Sequence, residues 1–314
     1  MKVVKDFIWK NGMSVEEFVN SLSSVGFQSI NIKRASEIIL SMKKSGAKIF
    51  LTFSSNLVTS GLRGLFAQMI RLGLVDAIVT TAGGIEEDIM KANSEEFLIT
   101  DYNADDLKLY EDGMNRIGNL IITNESYEKF EDLINAMLMK LYEKKHRWSV
   151  SEMLMEFGLM LKDKNSILYQ AAKNNVPVFC PAITDSALGF HLFMLQQKHN
   201  DFVVDVVDDF KRIVLFVSQD DKKGVIALGG GVSKHHALLA CLLNGGLDYA
   251  VYITTSHQES GSMSSATTNE AKSWGKIKDD SEAVTMIGDA TIIFPLVIIP
   301  VFEELFRDKI INSD

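Results

Sequence analysis

The sequence predicts an α/β fold: a parallel sheet covered by helices on both faces, preceded by a helical N-terminal segment. Three observations predict it. Short apolar runs recur between residues 48 and 287, and amphipathic stretches separate nearly all of them. The runs are continuous rather than alternating, as expected of strands buried on both faces. Strand–helix alternation is the pattern left by parallel strands joined through crossover helices.

The elements follow in order. Residues 1–45 read as helical. Ser14 and Glu17 have the spacing of a capping box, and Val15, Phe18, Val19 and Leu22 follow at helical intervals. Strands are expected at 48–53, 76–81, 119–123, 176–180, 224–228, 248–254 and 284–287. Helices are expected at 57–72, 127–144, 167–174 and 234–243. The most apolar stretch, 290–302, contains Pro295 and Pro300. It is shorter than the roughly 20 residues that span a bilayer, so it reads as a buried helix. The four prolines all lie in the second half and no Pro- or Ser-rich linker divides the chain. A single domain over 1–314 is therefore expected.

Composition narrows the function. Of the 314 residues, 46% are hydrophobic and 23% charged, which is globular rather than disordered. With 41 acidic and 32 basic residues the net charge is −9, and no Lys/Arg cluster offers a nucleic-acid footprint. An acidic surface is compatible with a cationic small molecule or a basic protein partner. Cys180 and Cys241 are the only cysteines, so a reducing compartment is expected. The six histidines show no metal-ligand spacing, and no metal is expected. The N-terminus lacks a signal-peptide core. These features together predict a soluble cytoplasmic protein with no membrane partner.

In parallel sheets, ligands bind beyond the carboxyl ends of the strands. The residues there are small and polar: Ser54-Ser55-Asn56, Thr80-Thr81-Ala82-Gly83-Gly84, Thr184-Asp185, Gly229-Gly230-Gly231, Thr254-Thr255-Ser256 and Gly288-Asp289-Ala290. Glycine lets a backbone approach a phosphate, and hydroxyls and free N–H groups donate to it. Any one loop reads more readily as an ordinary turn; together they suit a nucleotide. No GxGxxG follows the first strand, so this is not the usual dinucleotide fingerprint.

Three segments could carry chemistry. In the stretch from Glu270 to Lys276, packing against Trp274 would favour the neutral, nucleophilic amine of Lys276, and Gly275 would admit a substrate. The bland reading is a solvated lysine beside a loop tryptophan. Glu86-Glu87-Asp88 follow Gly83-Gly84 at a strand-to-helix turn, as helix N-terminal acids or as carboxylates facing a cationic ligand. His235-His236 open a helix after the triple glycine, where one of them could serve as an acid/base.

At these residues the sequence resembles the deoxyhypusine synthase family. The matching segments are 53–61 (FSSNLVTSG), 79–88 (VTTAGGIEED), 115–119 (NRIGN), 180–185 (CPAITD), 229–236 (GGGVSKHH), 248–252 (DYAVY), 273–276 (SWGK) and 294–296 (FPL), in family order over almost the whole chain. The resemblance implies a Rossmann-like NAD-binding core in a homotetramer, with active sites shared between paired subunits. It implies transfer of the aminobutyl part of spermidine, through a Schiff base on Lys276, to a specific lysine of translation factor 5A, with His235 and Glu87 as further catalytic groups. It assigns to NAD the residues Ser55, Asn56, Thr59, Thr81, Ala82, Gly83, Glu87, Asp185, Gly230, Thr255, Ser256, Asp289 and Ala290. It assigns to the amine Glu86, Glu87, His235, Gly261, Glu270 and Trp274.

Three positions depart from the family pattern. Phe190 stands where the family has a carboxylate, Leu239 where it has asparagine, and Ser260-Gly261-Ser262-Met263 where glycine is flanked by acids. A charge-assisted hydrogen bond to a carboxylate contributes on the order of 1.5–3 kcal/mol, so such losses bear on polycation affinity. The same NAD and lysine chemistry on another amine, and a non-catalytic subunit of a hetero-oligomer, remain alternative readings.

Overall fold

The apolar runs form five parallel strands in the computed structural model, which describes residues 3–312. They are β1 (Lys48–Phe53), β2 (Ala77–Val79), β3 (Lys223–Leu228), β4 (Leu247–Thr254) and β5 (Ile277–Ile287). Their order across the sheet is β2-β1-β3-β4-β5, every neighbour parallel. A single row of side chains, Ile78, Leu51, Ile226, Val251 and Val284, crosses all five strands in register. All five residues are buried, and the strand segments around them are apolar, whereas β5 begins with the polar, partly exposed stretch Lys278–Glu282.

This strand order belongs to the doubly wound type. Connections run outward in opposite directions from β1 and β3, so the carboxyl ends of these two strands mark the switch point where such sheets bind ligands. The two edges of the sheet differ in chemistry. At the amino edge, Asp76 accepts from the Ile49 N–H at 2.8 Å, and Asp248 accepts from the Lys223 N–H at 2.9 Å and from Lys278 Nζ at 2.7 Å. Carboxylates thus tie down one edge, while the other opens into the small polar loops.

The sheet, the helices Val15–Leu22, Ser29–Lys44, Val232–Leu242, Thr268–Ser273 and Ala290–Arg307, and the segment Leu72–Val79 form one of two compact units. Ser14 and Glu17 make the expected capping box. Gly224 in β3 has no room for a side chain, since a Cβ would meet Met42 Sδ at 2.7 Å. Its absence lets the helix Ser29–Lys44 lie directly on the sheet. The helix expected at 290–302 runs on to Arg307 and holds both Pro295 and Pro300. Phe294, Val297, Ile298, Val301 and Leu305 are fully buried along it. At about 1.5–3 kcal/mol each, their burial exceeds the roughly 3 kcal/mol that each proline costs in a helix.

The second unit comprises Ser54–Arg71 and Thr80–Arg212. It is mostly helical, with Arg63–Arg71, Ala82–Ala92, Asn124–Lys144, Val150–Met160, Ile167–Lys173 and Ala187–Lys198. The strand expected at 119–123 exists as Leu120–Thr123, but it pairs antiparallel with Met114–Ile117 and Leu98–Ile99. Gly118, at φ +63°, makes the tight turn that reverses the chain. The helix expected at 57–72 is broken at Gly61, whose φ of +104° separates an irregular turn from Arg63–Arg71.

Gly158 marks the tightest helix contact of this unit, since a Cβ there would lie 2.2 Å from the Leu168 carbonyl oxygen. We expect Gly158→Ala to lower stability by about 1–3 kcal/mol. Gly64→Ala, which meets nothing within 4 Å, should leave stability unchanged or raise it by up to about 1 kcal/mol. Urea midpoints of the two variants check this.

Candidate active site

Lys276 owes its place to the way one helix ends. Thr268–Ser273 stops at Trp274, and Gly275 turns left-handed at φ +68°. The Gly275 N–H donates to the Lys272 carbonyl at 2.9 Å, and the Lys276 N–H to the Ala271 carbonyl at 3.0 Å, completing a paired C-terminal cap. Gly275 is therefore a helix terminator, a role its sequence context did not separate from substrate access. The cap directs the Lys276 side chain inward just before β5 begins. Its residue exposure is 6%, against 66% for Trp274. The Lys276 ammonium lies 5.0 Å from the centre of the Trp274 ring. Burial lowers the Lys276 pKa and Glu270 opposes that shift.

Lys276, Trp274 and Glu270 line one small cavity together with Lys234, Leu238, Tyr252 and Met263. Lys234 is a residue that sequence reasoning passed over. It is buried, its Nζ donates to the Ala266 carbonyl at 3.1 Å, and it sits 4.6 Å from the centre of the Tyr252 ring. Its position three residues after the helix-opening glycines was the available signal. Met263, one of the departures, faces the cavity, whereas Leu238 rather than Leu239 lines it. His235 is half-buried, and its pKa is lowered by burial and by Lys276. His236 is pushed down to about 4, by burial and then by His235. Gly261 is exposed in a left-handed turn outside the cavity lining, among Ser260, Ser262 and Ser265, whose hydroxyls bond to one another.

Other residues of this unit line the carboxyl edge of the sheet. Gly230, at φ +78°, covers the Ser233 hydroxyl so closely that a Cβ would come within 2.5 Å of it. That hydroxyl is buried without a hydrogen-bond partner among the described residues. The Ser256 N–H donates to Thr254 Oγ1 at 3.1 Å, and Thr255 is exposed. Asp289 caps the helix that begins at Ala290, accepting from the Thr291 N–H at 2.8 Å.

In the second unit, the three consecutive acids point to three different partners. They lie inside the helix Ala82–Ala92 and not in its first turn, so the helix-dipole reading is corrected. Successive helical residues are about 100° apart, which explains the separation. Glu86 accepts from the Leu188 N–H at 2.6 Å, at the start of Ala187–Lys198, and burial raises its pKa. Glu87 accepts from the Thr59 hydroxyl at 2.5 Å. Burial pushes Glu87 up to about 7, with Thr59 and Lys91 opposing. Asp88 holds Arg63 Nε at 2.5 Å, the Ser166 hydroxyl at 2.8 Å, and the N–H groups of Ile167 and Leu168. Asp88 is thus a structural anchor.

Helix Ala82–Ala92 starts without a side-chain cap, because the Thr81 hydroxyl accepts from the Ser55 N–H at 3.1 Å instead. A Cβ on Gly83 would lie 3.0 Å from Ser55 Cβ, and one on Gly84 would lie 2.9 Å from Thr80 Oγ1. The two glycines therefore let the Ser54-Ser55-Asn56 loop rest on the first helical turn, with Ser54 donating to Asn56 Oδ1. Asp185 is exposed just before Ala187–Lys198. Phe190, on that helix, is 56% exposed and packs edge-on against His191. Among the described residues no cluster of His, Cys, Asp or Glu could hold a metal ion, and no helix is long and apolar enough to cross a membrane.

A doubly wound parallel sheet with glycine turns at its carboxyl edge, flanked by helices, defines an α/β protein, here with a buried lysine beside an indole. Comparison with known proteins gives the family. A profile of the deoxyhypusine synthase family matches residues 17–301. The chain is 38% identical to the deoxyhypusine synthase of Caenorhabditis elegans over 327 residues, covering 95% of this chain and 88% of that protein. It is 38% identical over 286 residues to a Thermoplasma acidophilum protein assigned to the same activity, covering 90% of this chain and 92% of the relative. A crystal structure of an Entamoeba histolytica protein, likewise assigned as a deoxyhypusine synthase, superposes with a TM-score of 0.67 at 29% identity, covering 96% of this chain and 97% of that one. The chain belongs to the deoxyhypusine synthase family, a family of transferases.

Glu87 offers a test of the site's electrostatics. Its carboxyl is raised from 4.5 to about 7 in the folded chain. The folded state therefore holds a proton that the unfolded chain has already lost, and stability falls as pH rises through that window. We expect Glu87→Gln, which keeps an acceptor for Thr59, to be more stable than the wild type at pH 8 by up to about 3 kcal/mol. The advantage should vanish at pH 4. Denaturant titrations at the two pH values measure it.

Proposed function

We propose that this protein is an NAD-dependent deoxyhypusine synthase that transfers the 4-aminobutyl group of spermidine to a specific lysine of the translation factor 5A precursor through a Schiff base on Lys276. The observation that carries this reading is the Lys276 amine, buried beside Trp274 in a cavity that also holds Glu270. Burial favours a lysine in its neutral, nucleophilic form. The family's activity supplies the substrates, and the family pattern supports a cytoplasmic homotetramer.

The chain has features that fit NAD. The N-terminus of Ala82–Ala92, which has no side-chain cap, offers N–H donors to a phosphate. The orphaned Ser233 hydroxyl beneath Gly230 is a second donor without a partner. In this reading the residues that the family pattern assigns to NAD are Ser55, Asn56, Thr59, Thr81, Ala82, Gly83, Glu87, Asp185, Gly230, Thr255, Ser256, Asp289 and Ala290. When bound there, NAD would supply the hydride acceptor for oxidation of the donor and the hydride for reduction of the final product.

The protein's own groups do the rest. Neutral Lys276 Nζ adds to the oxidised carbon of the donor. The bond from that carbon to the donor nitrogen breaks, diaminopropane leaves with a proton, and the aminobutyl fragment stays on Lys276 as an imine. The acceptor lysine then displaces Lys276 from the same carbon, which frees the enzyme amine. His235, held towards its neutral form, can accept a proton during these exchanges. Glu87, pushed up to about 7, can hold or release one near neutral pH. The family pattern assigns Glu86, Glu87, His235, Gly261, Glu270 and Trp274 to the amine.

One observation favours a second reading, the same chemistry on a less charged amine. Met263 faces the cavity, and Glu270 is the one carboxylate beside Lys234 and Lys276 among its lining residues. Phe190 and Leu239 likewise stand where the family pattern has polar groups.

Incubation with NAD and spermidine should produce NADH, and borohydride should then fix an aminobutyl adduct at Lys276. Lys276→Arg should lose the adduct and at least about a thousandfold in transfer rate, as expected for a nucleophile. An adduct formed with another amine and not with spermidine would establish the second reading. Absence of NADH and of adduct with every amine would overturn both.

A further inference from the structure

Lys234 stands outside the reaction derived above, yet it occupies the same cavity as Lys276. Both side chains are buried, at 2% and 6% residue exposure. Neither has a carboxylate within ion-pair distance among the described residues, where every other close lysine–carboxylate pair involves surface or half-buried chains. Among the described residues, Lys234 Nζ donates to one carbonyl, that of Ala266, and lies over the Tyr252 ring. A neutral hydrogen-bond donor could fill that role without the cost of burying a charge.

We propose that Lys234 is a positioning residue that acts on Lys276 by charge: two amines sharing one buried cavity and one carboxylate resist being charged together, and this keeps part of Lys276 neutral and ready to attack. The inference rests on the reading of Lys276 as the nucleophile. A cation beside a lysine is a recognised way of making it nucleophilic at neutral pH.

The surroundings of the pair support the assignment. Glu270, on Thr268–Ser273, is exposed to solvent, so water screens its compensating charge. His235, on the same helix as Lys234, is itself driven towards neutrality by burial and by Lys276. Tyr252, on β4, is held as the neutral phenol by burial. None of these groups cancels two ammonium charges. Lys234 is lowered to about 8 by burial, with Lys276 adding to the shift and Glu270 opposing it. Burial likewise lowers Lys276. When two such groups interact, the first proton lost belongs to the pair and not to either residue. Removing Lys234 leaves Lys276 as the sole cation of the cavity, with Glu270 to stabilise its charge.

The test reads Lys276 without cofactor or amine donor. Butanal condenses with a neutral lysine amine, losing water to form an imine, and cyanoborohydride reduces that imine to a stable secondary amine. Peptide mass spectrometry then gives the modification rate at position 276 across pH 6–10, with circular dichroism confirming that each variant is folded. We expect Lys234→Met to move the half-maximal pH of Lys276 modification up by about one unit or more, which slows modification at pH 7.5 about tenfold. Lys234→Arg, which keeps the charge, should retain the wild-type profile. Superimposable profiles for wild type and Lys234→Met would overturn the proposal, as would an equal shift in Lys234→Arg. Because butanal replaces the biological donor, failure with spermidine and NAD would count against the proposed function and leave this measurement valid.

Discussion

The constraint on which the site depends is the exclusion of water from an amine that lacks a close counter-charge. Lys276 is buried against an indole, and the carboxylate nearest its cavity, Glu270, is itself exposed. Burial stabilises the neutral amine, and the neutral amine is the nucleophile. The surrounding architecture serves this placement. A left-handed glycine ends a short helix, the cap turns the chain, and β5 begins with the lysine side chain already directed inward.

The sheet supplies the second constraint. Parallel strands send all their carboxyl ends to one edge, and the strand order places the switch point at β1 and β3. That edge is where the chain leaves the strands through glycine and hydroxyl residues. The opposite edge is closed by Asp76 and Asp248 bonding to backbone N–H groups. Gly224 and Gly230 act similarly in different places. One lets a helix reach the sheet, and the other lets a backbone turn pass over a buried hydroxyl.

Much of this was legible in the sequence because the responsible signals are local. The Ser14–Glu17 capping box and the strand 48–53 appear as read, since each depends on a few adjacent residues. The polar loops after the strands were legible for the same reason. What required three dimensions was partner choice. The strand at 120–123 was read as one more parallel strand, because its apolar run carries no mark of direction, and the Gly118 turn that reverses it is a single residue. Glu86, Glu87 and Asp88 are identical in character on paper, yet helical geometry gives them a helix N-terminus, a threonine hydroxyl and an arginine as partners. Lys234 resembled an ordinary helical lysine until its burial beside Lys276 was visible. The chain passes between its two units at Phe53, Arg71, Val79 and Arg212, within short connections or elements that carry no linker composition.

The central claim is that the Lys276 amine loses its proton more readily than a free lysine does. Nuclear magnetic resonance titration of isotope-labelled lysine side chains, with the Lys276 signal assigned from the Lys276→Arg variant, tests this most directly. The account expects that signal to titrate clearly below 10.5, apart from the surface lysines. A Lys276 signal that titrates at or above 10.5, together with the surface lysines, would contradict it.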